Sequence, residues 1–267
     1  MKTSRLKNIV IAILALVNVF LLALLIGRGV QERAARSRAA EQLIALYAAD
    51  GVTLPAGCIP AEEPRLAPVE PTRSREAEAA FAEALLGACT EEDVGGGIYR
   101  YSGEHGVCLI RASGAVEAAL SLPVEEPEDF FESLLAAFGY APLRADVQEG
   151  SGTVTAVRML PEGMVFNAQL SLRFAKGRLT AVTGSFIPPV ETPEGGGGVD
   201  GVTALVRCLD YSRGGGEVFT AVSDVRSGYL LQNTASTAQR LIPAWCIQTD
   251  VNQYYVNIVT GEVTRGS

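Results

Sequence analysis

Among its 267 residues this chain has one histidine, His105, and it lacks a C-x-x-C pair, an H-E-x-x-H helix, a G-x-S-x-G elbow and a Walker loop. Each absence removes a class of chemistry. Zinc centres and dithiol redox sites lack paired ligands, and the usual metalloprotease, hydrolase and nucleotide-binding machinery has no residues to build on. Residues 1–38 hold seven Lys and Arg against one acid, leaving 15 bases and 29 acids beyond. So acidic a surface is repelled by phosphate backbones, and no basic stripe with interleaved aromatics occurs, which excludes nucleic acid as a partner.

Cysteine is also sparse. Five thiols, an odd number, do not form a dense disulfide framework. Cys89 with Cys108, and Cys208 with Cys246, are the pairs that could bridge within one structural unit; buried thiols are the alternative. His105 sits beside Glu104 in the loop Ser102-Gly103-Glu104-His105-Gly106, a pairing suited to acid–base work, although a hairpin tip is ordinarily just solvated. Glu125-Glu126 and Glu128-Asp129 stand at a helix start, where acids complement the dipole. The glycine runs 95–97, 195–198 and 214–216 read as flexible turns. No catalytic, cofactor-binding or metal-binding residue is assigned.

What the chain has in abundance lies at its start. Ile9 to Ile26 is apolar throughout except Asn18, with Lys7 before it and Arg28 after it. A helix of that length approaches the ~30 Å hydrocarbon core, and flanking cations snorkel to the interface. A cleaved signal peptide is the competing reading; the run exceeds a typical apolar h-region and no A-x-A-like site follows. The short basic tail 1–8 is expected in the cytosol and the remainder outside. On one helical face Ala12, Ala15, Val19 and Leu22, with Asn18 nearby, present small side chains and one hydrogen-bonding group, the features of a helix–helix interface in lipid. A plain tether is the alternative.

Beyond the span, 27–73 reads as an Ala-rich stalk helix and then a segment with Pro55, Pro60, Pro64, Pro68 and Pro71, which forbid regular structure. That segment is either an extended linker or is laid against the domain. Three stretches follow, 74–126, 127–193 and 194–267, each with a helix and then antiparallel strands. The first helix starts behind Ser74; Lys176-Gly177 signals a hairpin; alternation such as Leu170, Leu172, Phe174 against Ser171, Arg173 implies sheets covered on one face. The expected fold class is α+β, an N-terminal transmembrane helix followed by repeated helix-plus-antiparallel-sheet units.

The most specific signal is C-terminal. Pro243-Ala244-Trp245, then Tyr254-Tyr255-Val256-Asn257 and Thr260-Gly261-Glu262, form a hairpin across which Trp245 and Tyr255 are expected to pair as an apolar anchor. With Gly228-Tyr229 and Val165-Phe166-Asn167 upstream, these motifs resemble the YycI branch of the YycH/YycI family, in part shared with PepSY-like exported domains. The resemblance covers the anchor and roughly 128–263 and is weak over 51–122. It implies a PepSY-like or YycI-like architecture without enzyme activity or cofactor. It also implies a single-pass membrane protein that contacts the spans of a cell-wall sensor histidine kinase and associates outside with a sister YycH-like protein. The family motif residues are then Gly228, Tyr229, Pro243, Trp245, Tyr254, Tyr255, Asn257 and Gly261. The competing functional reading is an exported PepSY-like inhibitor or chaperone-type binding module for a secreted or surface protein. A carboxylate-dependent cell-wall enzyme is a third class.

Overall fold

A computed structural model describes residues 35–61, 64–124, 127–148, 151–193, 195–215, 218–233 and 239–266. The expected span 9–26, with Ala12, Ala15, Asn18, Val19 and Leu22, lies outside them, as do Glu125 and Glu126. Among the described residues no helix is long and apolar enough to cross a membrane.

The expected α+β fold, a transmembrane helix followed by repeated helix-plus-antiparallel-sheet units, is corrected. Among the described residues 47% are strand and 25% helix, and the strands form one mixed twelve-stranded sheet rather than successive helix-on-sheet units. Its strands are β1 (Cys89–Gly95), β2 (Ile98–Gly103), β3 (Gly106–Arg111), β4 (Ala115–Pro123), β5 (Tyr140–Gln148), β6 (Ser151–Leu160), β7 (Gly163–Ala175), β8 (Arg178–Ser185), β9 (Val222–Asn233), β10 (Gln239–Thr249), β11 (Gln253–Asn257) and β12 (Val263–Arg265). The order is β1-β2-β3-β4-β8-β7-β9-β10-β11-β12, with β6 also pairing β7 and β5 pairing β6. One parallel pair, Val165 with Tyr229, joins β7 to β9 and so fuses the expected second and third units.

Helix α1 covers 35–49, α2 Arg75–Leu86, α3 Pro127–Ala137 and α4 Gly201–Gly215. Ser74 caps α2 by accepting from the Ala77 N–H at 3.2 Å, satisfying one orphan donor of the first turn. The turn at Lys176-Gly177 takes positive φ at both residues (53° and 70°), matching the twist of a two-residue hairpin. The proline-rich segment is laid on the domain: Thr53 exchanges backbone hydrogen bonds with Thr220 and Val222, Val69 pairs with Leu241, and Leu54, Leu66 and Val69 are buried.

Two apolar clusters fill the covered side of the sheet. One packs α2 and α3 on β2–β8, around Phe81, Leu85, Phe131, Phe174 and Phe186. The other packs α1, α4 and the laid-down segment on β9–β11, around Tyr47, Leu205, Trp245 and Tyr254. Strand β7 serves both, and it changes phase between them. Its ladder to β6 jumps from Val157↔Gln169 to Arg158↔Val165, so Val165 and Ala168 both reach the second cluster while Phe166 is turned to the opposite face. Such a bulge re-aims side chains.

Candidate functional site: a groove at the strand junction

The phase change in β7 creates the most distinctive local geometry of the molecule. β8 last pairs with β7 at Leu170↔Gly184, and β9 meets β7 at Val165↔Tyr229. Residues 166–169 fall between these two partners. There the Asn167 side chain stands in for a missing strand: its Oδ1 accepts from Leu231 N–H at 2.7 Å and its Nδ2 donates to Leu231 C=O at 2.9 Å. A carboxamide carries the same donor and acceptor as a peptide unit, so it continues the ladder by one rung. Gly228 lies alongside for steric reasons. A Cβ there would stand 2.5 Å from Met164 O and 2.8 Å from Phe166 Cζ.

Polar side chains fasten the two clusters around this junction. Gln239 Nε2 donates to Ser113 O and Phe186 O, both at 3.0 Å. The Tyr140 hydroxyl donates to Ser185 O at 2.7 Å and accepts from Ile187 N–H at 3.1 Å. Arg158, 6% exposed, donates to the Phe138 carbonyl just past α3 and to Pro188 O. Burial presses the Arg158 pKa below its ordinary value, because no carboxylate among the described residues compensates the charge.

On the open face the junction is a groove of about 530 Å³, within the size range of ligand pockets. Phe166 and Tyr255 floor it, with ring centroids 5.7 Å apart. Asn167, Gln169, Gln232, Gln253 and Thr264 supply neutral polar walls, and Arg265 is the one charged lining residue among those described. The Tyr255 hydroxyl donates to Gln253 Oε1 at 2.9 Å. Burial, then the adjacent Cys246, pushes its pKa up to about 12, so it stays a neutral donor at ordinary pH. Two other hollows have similar size: about 570 Å³ between α1 and the start of α4, and about 520 Å³ between Pro68 and Pro193. Neither involves a motif residue.

Of the eight motif residues, only Tyr255 lines the groove. Tyr229 is buried at the parallel pair and faces Pro243 across the β9–β10 ladder. Trp245, 2% exposed, donates from Nε1 to Val199 O at 2.8 Å. Tyr254 packs in the core, its ring centroid 5.7 Å from that of Phe219. Asn257 Oδ1 accepts from Val259 and Thr260 N–H groups and shapes the closing turn. Gly261 adopts φ 72°, and a Cβ there would meet the Arg207 guanidinium at 2.5 Å. These positions build the fold. The expected Trp245–Tyr255 pair does not form, because the register is Trp245↔Val256 and Cys246↔Tyr255. An offset of one residue sends two side chains to opposite faces.

The remaining sequence candidates are dispersed. His105 lies in the β2–β3 turn, where its backbone bonds Leu86 and Ser121. Cys208 belongs to the core under α4, while Cys246 faces away from that core beside Tyr255, so the sheet separates them. Cys89 on β1 and Cys108 on β3 are separated by β2, and no disulfide joins them. Among the described residues no group of three or more His, Cys, Asp or Glu could hold a metal.

No protein-family profile matches this chain, and no curated protein does. Among solved structures it is similar to the Bacillus megaterium YpeB C-terminal domain, at 8% identity and TM-score 0.39, covering 73% of this chain and 98% of that one. An uncharacterized protein from Eubacterium rectale ATCC 33656 matches at 13% identity and TM-score 0.41, covering 80% of this chain and 85% of the other. At these scores neither likeness defines the function of this chain.

Proposed function

We propose that this chain is a non-enzymatic, extracytoplasmic regulator that acts by binding. In this reading residues 9–26 hold it at the membrane, with 1–8 in the cytosol, and Ala12, Ala15, Asn18, Val19 and Leu22 contact the spans of a sensor histidine kinase. The outer domain docks a sister YycH-like protein. Support comes from one observation above all: Val165, Phe166, Asn167, Gly228 and Tyr229, far apart in sequence, meet at a single junction, whose open side, floored by Phe166 and Tyr255, is a groove walled by neutral amides. A groove of that lining suits recognition and supplies no acid–base pair.

The test is co-purification of the full chain with the kinase and the sister protein, read beside transcription from a promoter under the cognate response regulator. Tyr255→Ala, on the groove floor, is expected to weaken the sister complex, and Ala15→Leu or Asn18→Leu to change kinase output at matched protein levels. Exchange of 9–26 for an unrelated apolar helix separates the competing module. If output and binding survive that exchange, the protein is an exported binding module for a surface or secreted protein instead.

A further inference from the structure

The groove already contains an example of what its walls recognise. Asn167 reads the backbone of Leu231 in both directions, accepting from its N–H and donating to its C=O. Gln232 lines the same groove and its side chain makes no hydrogen bond among the described residues, and Gln169 commits only its amide nitrogen, to Phe166 O at 3.3 Å. These carboxamides stand above an aromatic floor, beside an interval of β7 that neither β8 nor β9 pairs.

We infer that the groove takes an extended polypeptide segment, laid across its mouth, whose peptide units are read by Gln232 and Gln169 as Leu231 is read by Asn167. An apolar or β-branched side chain of the segment rests on Tyr255 and Phe166. A carboxamide presents one donor and one acceptor in the spacing of a peptide unit, which is the complement an extended backbone offers. Charge selects the segment further. The chain beyond residue 38 carries 29 acids against 15 bases, yet no carboxylate among the described residues lines this groove. Arg265 stands at its rim, donating to Asn252 Oδ1 at 3.2 Å. A neutral or mildly acidic segment therefore meets no repulsion here. This inference rests on reading the groove as the binding site of the regulator.

The experiment uses the full chain in detergent micelles and fluorescence anisotropy of labelled, neutral Thr- and Val-rich peptides of about ten residues, some 33 Å when extended. Three further arms are the same peptides N-methylated at alternate residues, a chito-oligosaccharide competitor, and the Gln232→Ala variant. The expected result is saturable binding, weakened roughly three- to tenfold by Gln232→Ala, the worth of about one hydrogen-bonded peptide unit, and abolished by N-methylation. Absence of peptide binding, binding indifferent to N-methylation, or displacement by the oligosaccharide overturns it. Kinase co-purification run in parallel keeps the two readings apart. If peptide binding fails while Tyr255→Ala still releases the sister protein, the regulator stands and the peptide groove falls. If peptides bind as expected while neither kinase nor sister protein co-purifies, the groove stands and the regulator falls.

Discussion

Asn167→Leu is the most informative single change. It deletes both hydrogen bonds to Leu231, a residue only 8% exposed, and leaves a backbone N–H and C=O with little water to replace the lost partner. Two bonds at about 1 kcal/mol each, with an added penalty for orphaned buried groups, give a loss of about 2 to 4 kcal/mol. In a chain of this size each kcal/mol moves Tm by about 2–4 °C, so the midpoint falls by roughly 5 to 15 °C. Trp245 is the only tryptophan and is buried in the cluster that β9 and β10 help to form, so its fluorescence follows the transition. Asn167→Asp adds a control. It keeps the acceptor for Leu231 N–H but sets a carboxylate against the Leu231 carbonyl, which raises the folded-state pKa. Stability from such a group is fully present below its unfolded pKa and is lost as pH rises through the higher folded value, so the deficit relative to wild type shrinks as pH falls toward about 4 and levels off below it. A Tm for Asn167→Leu within experimental error of wild type would refute the view that this amide joins the two halves of the sheet.

Trp245→Ala should cost about 3 to 5 kcal/mol in denaturant titration, since it empties a core site and orphans Val199 O; an equally stable variant contradicts that. Asp250 and Asp50 are both held below the usual carboxylate range, the first by the Thr220 hydroxyl and neighbouring N–H groups, the second by Arg213. Their contribution is present above about pH 4 and lost as pH falls through the lower folded values, so Asp250→Asn should flatten the acid limb of Tm against pH. Burial raises the thiol pKa of Cys58 and Cys89 as well as that of Cys246, which reaches about 11, but only Cys58 and Cys89 are partly exposed, so the native protein should alkylate there first, as peptide mapping after iodoacetamide treatment would show.

Much of the local structure is legible in the sequence because local chemistry determines it. Ser74 marks the start of α2, Lys176-Gly177 marks the β7–β8 hairpin, and period-two alternation locates the buried strands. Strand β1 escapes such a reading since Thr90-Glu91-Glu92-Asp93 is exposed and acidic at a sheet edge, and β5 since Pro142 and a bulge interrupt it. The single mixed sheet is beyond sequence reach for another reason. Its defining contact is one parallel pair between residues 64 positions apart, made possible by a phase change in β7 that local periodicity cannot reveal. The same slip hides the groove. Val165-Phe166-Asn167 is visible as a motif, but Gln169, Gln232 and Gln253 are neutral amides that match no chemical signature until the fold gathers them; an Asn breaking an otherwise apolar strand is the one available hint.

If the junction groove is where this protein binds its partner, a photoreactive amino acid placed at Gln232 in intact cells tests it directly, with the same probe at Val218, 81% exposed and outside the groove, as reference. The expected result is an adduct at position 232, identified by mass spectrometry as the sister protein or the kinase, and none at 218. Equal labelling at both positions, or no adduct at 232 while kinase output remains normal, would contradict partner binding in the groove.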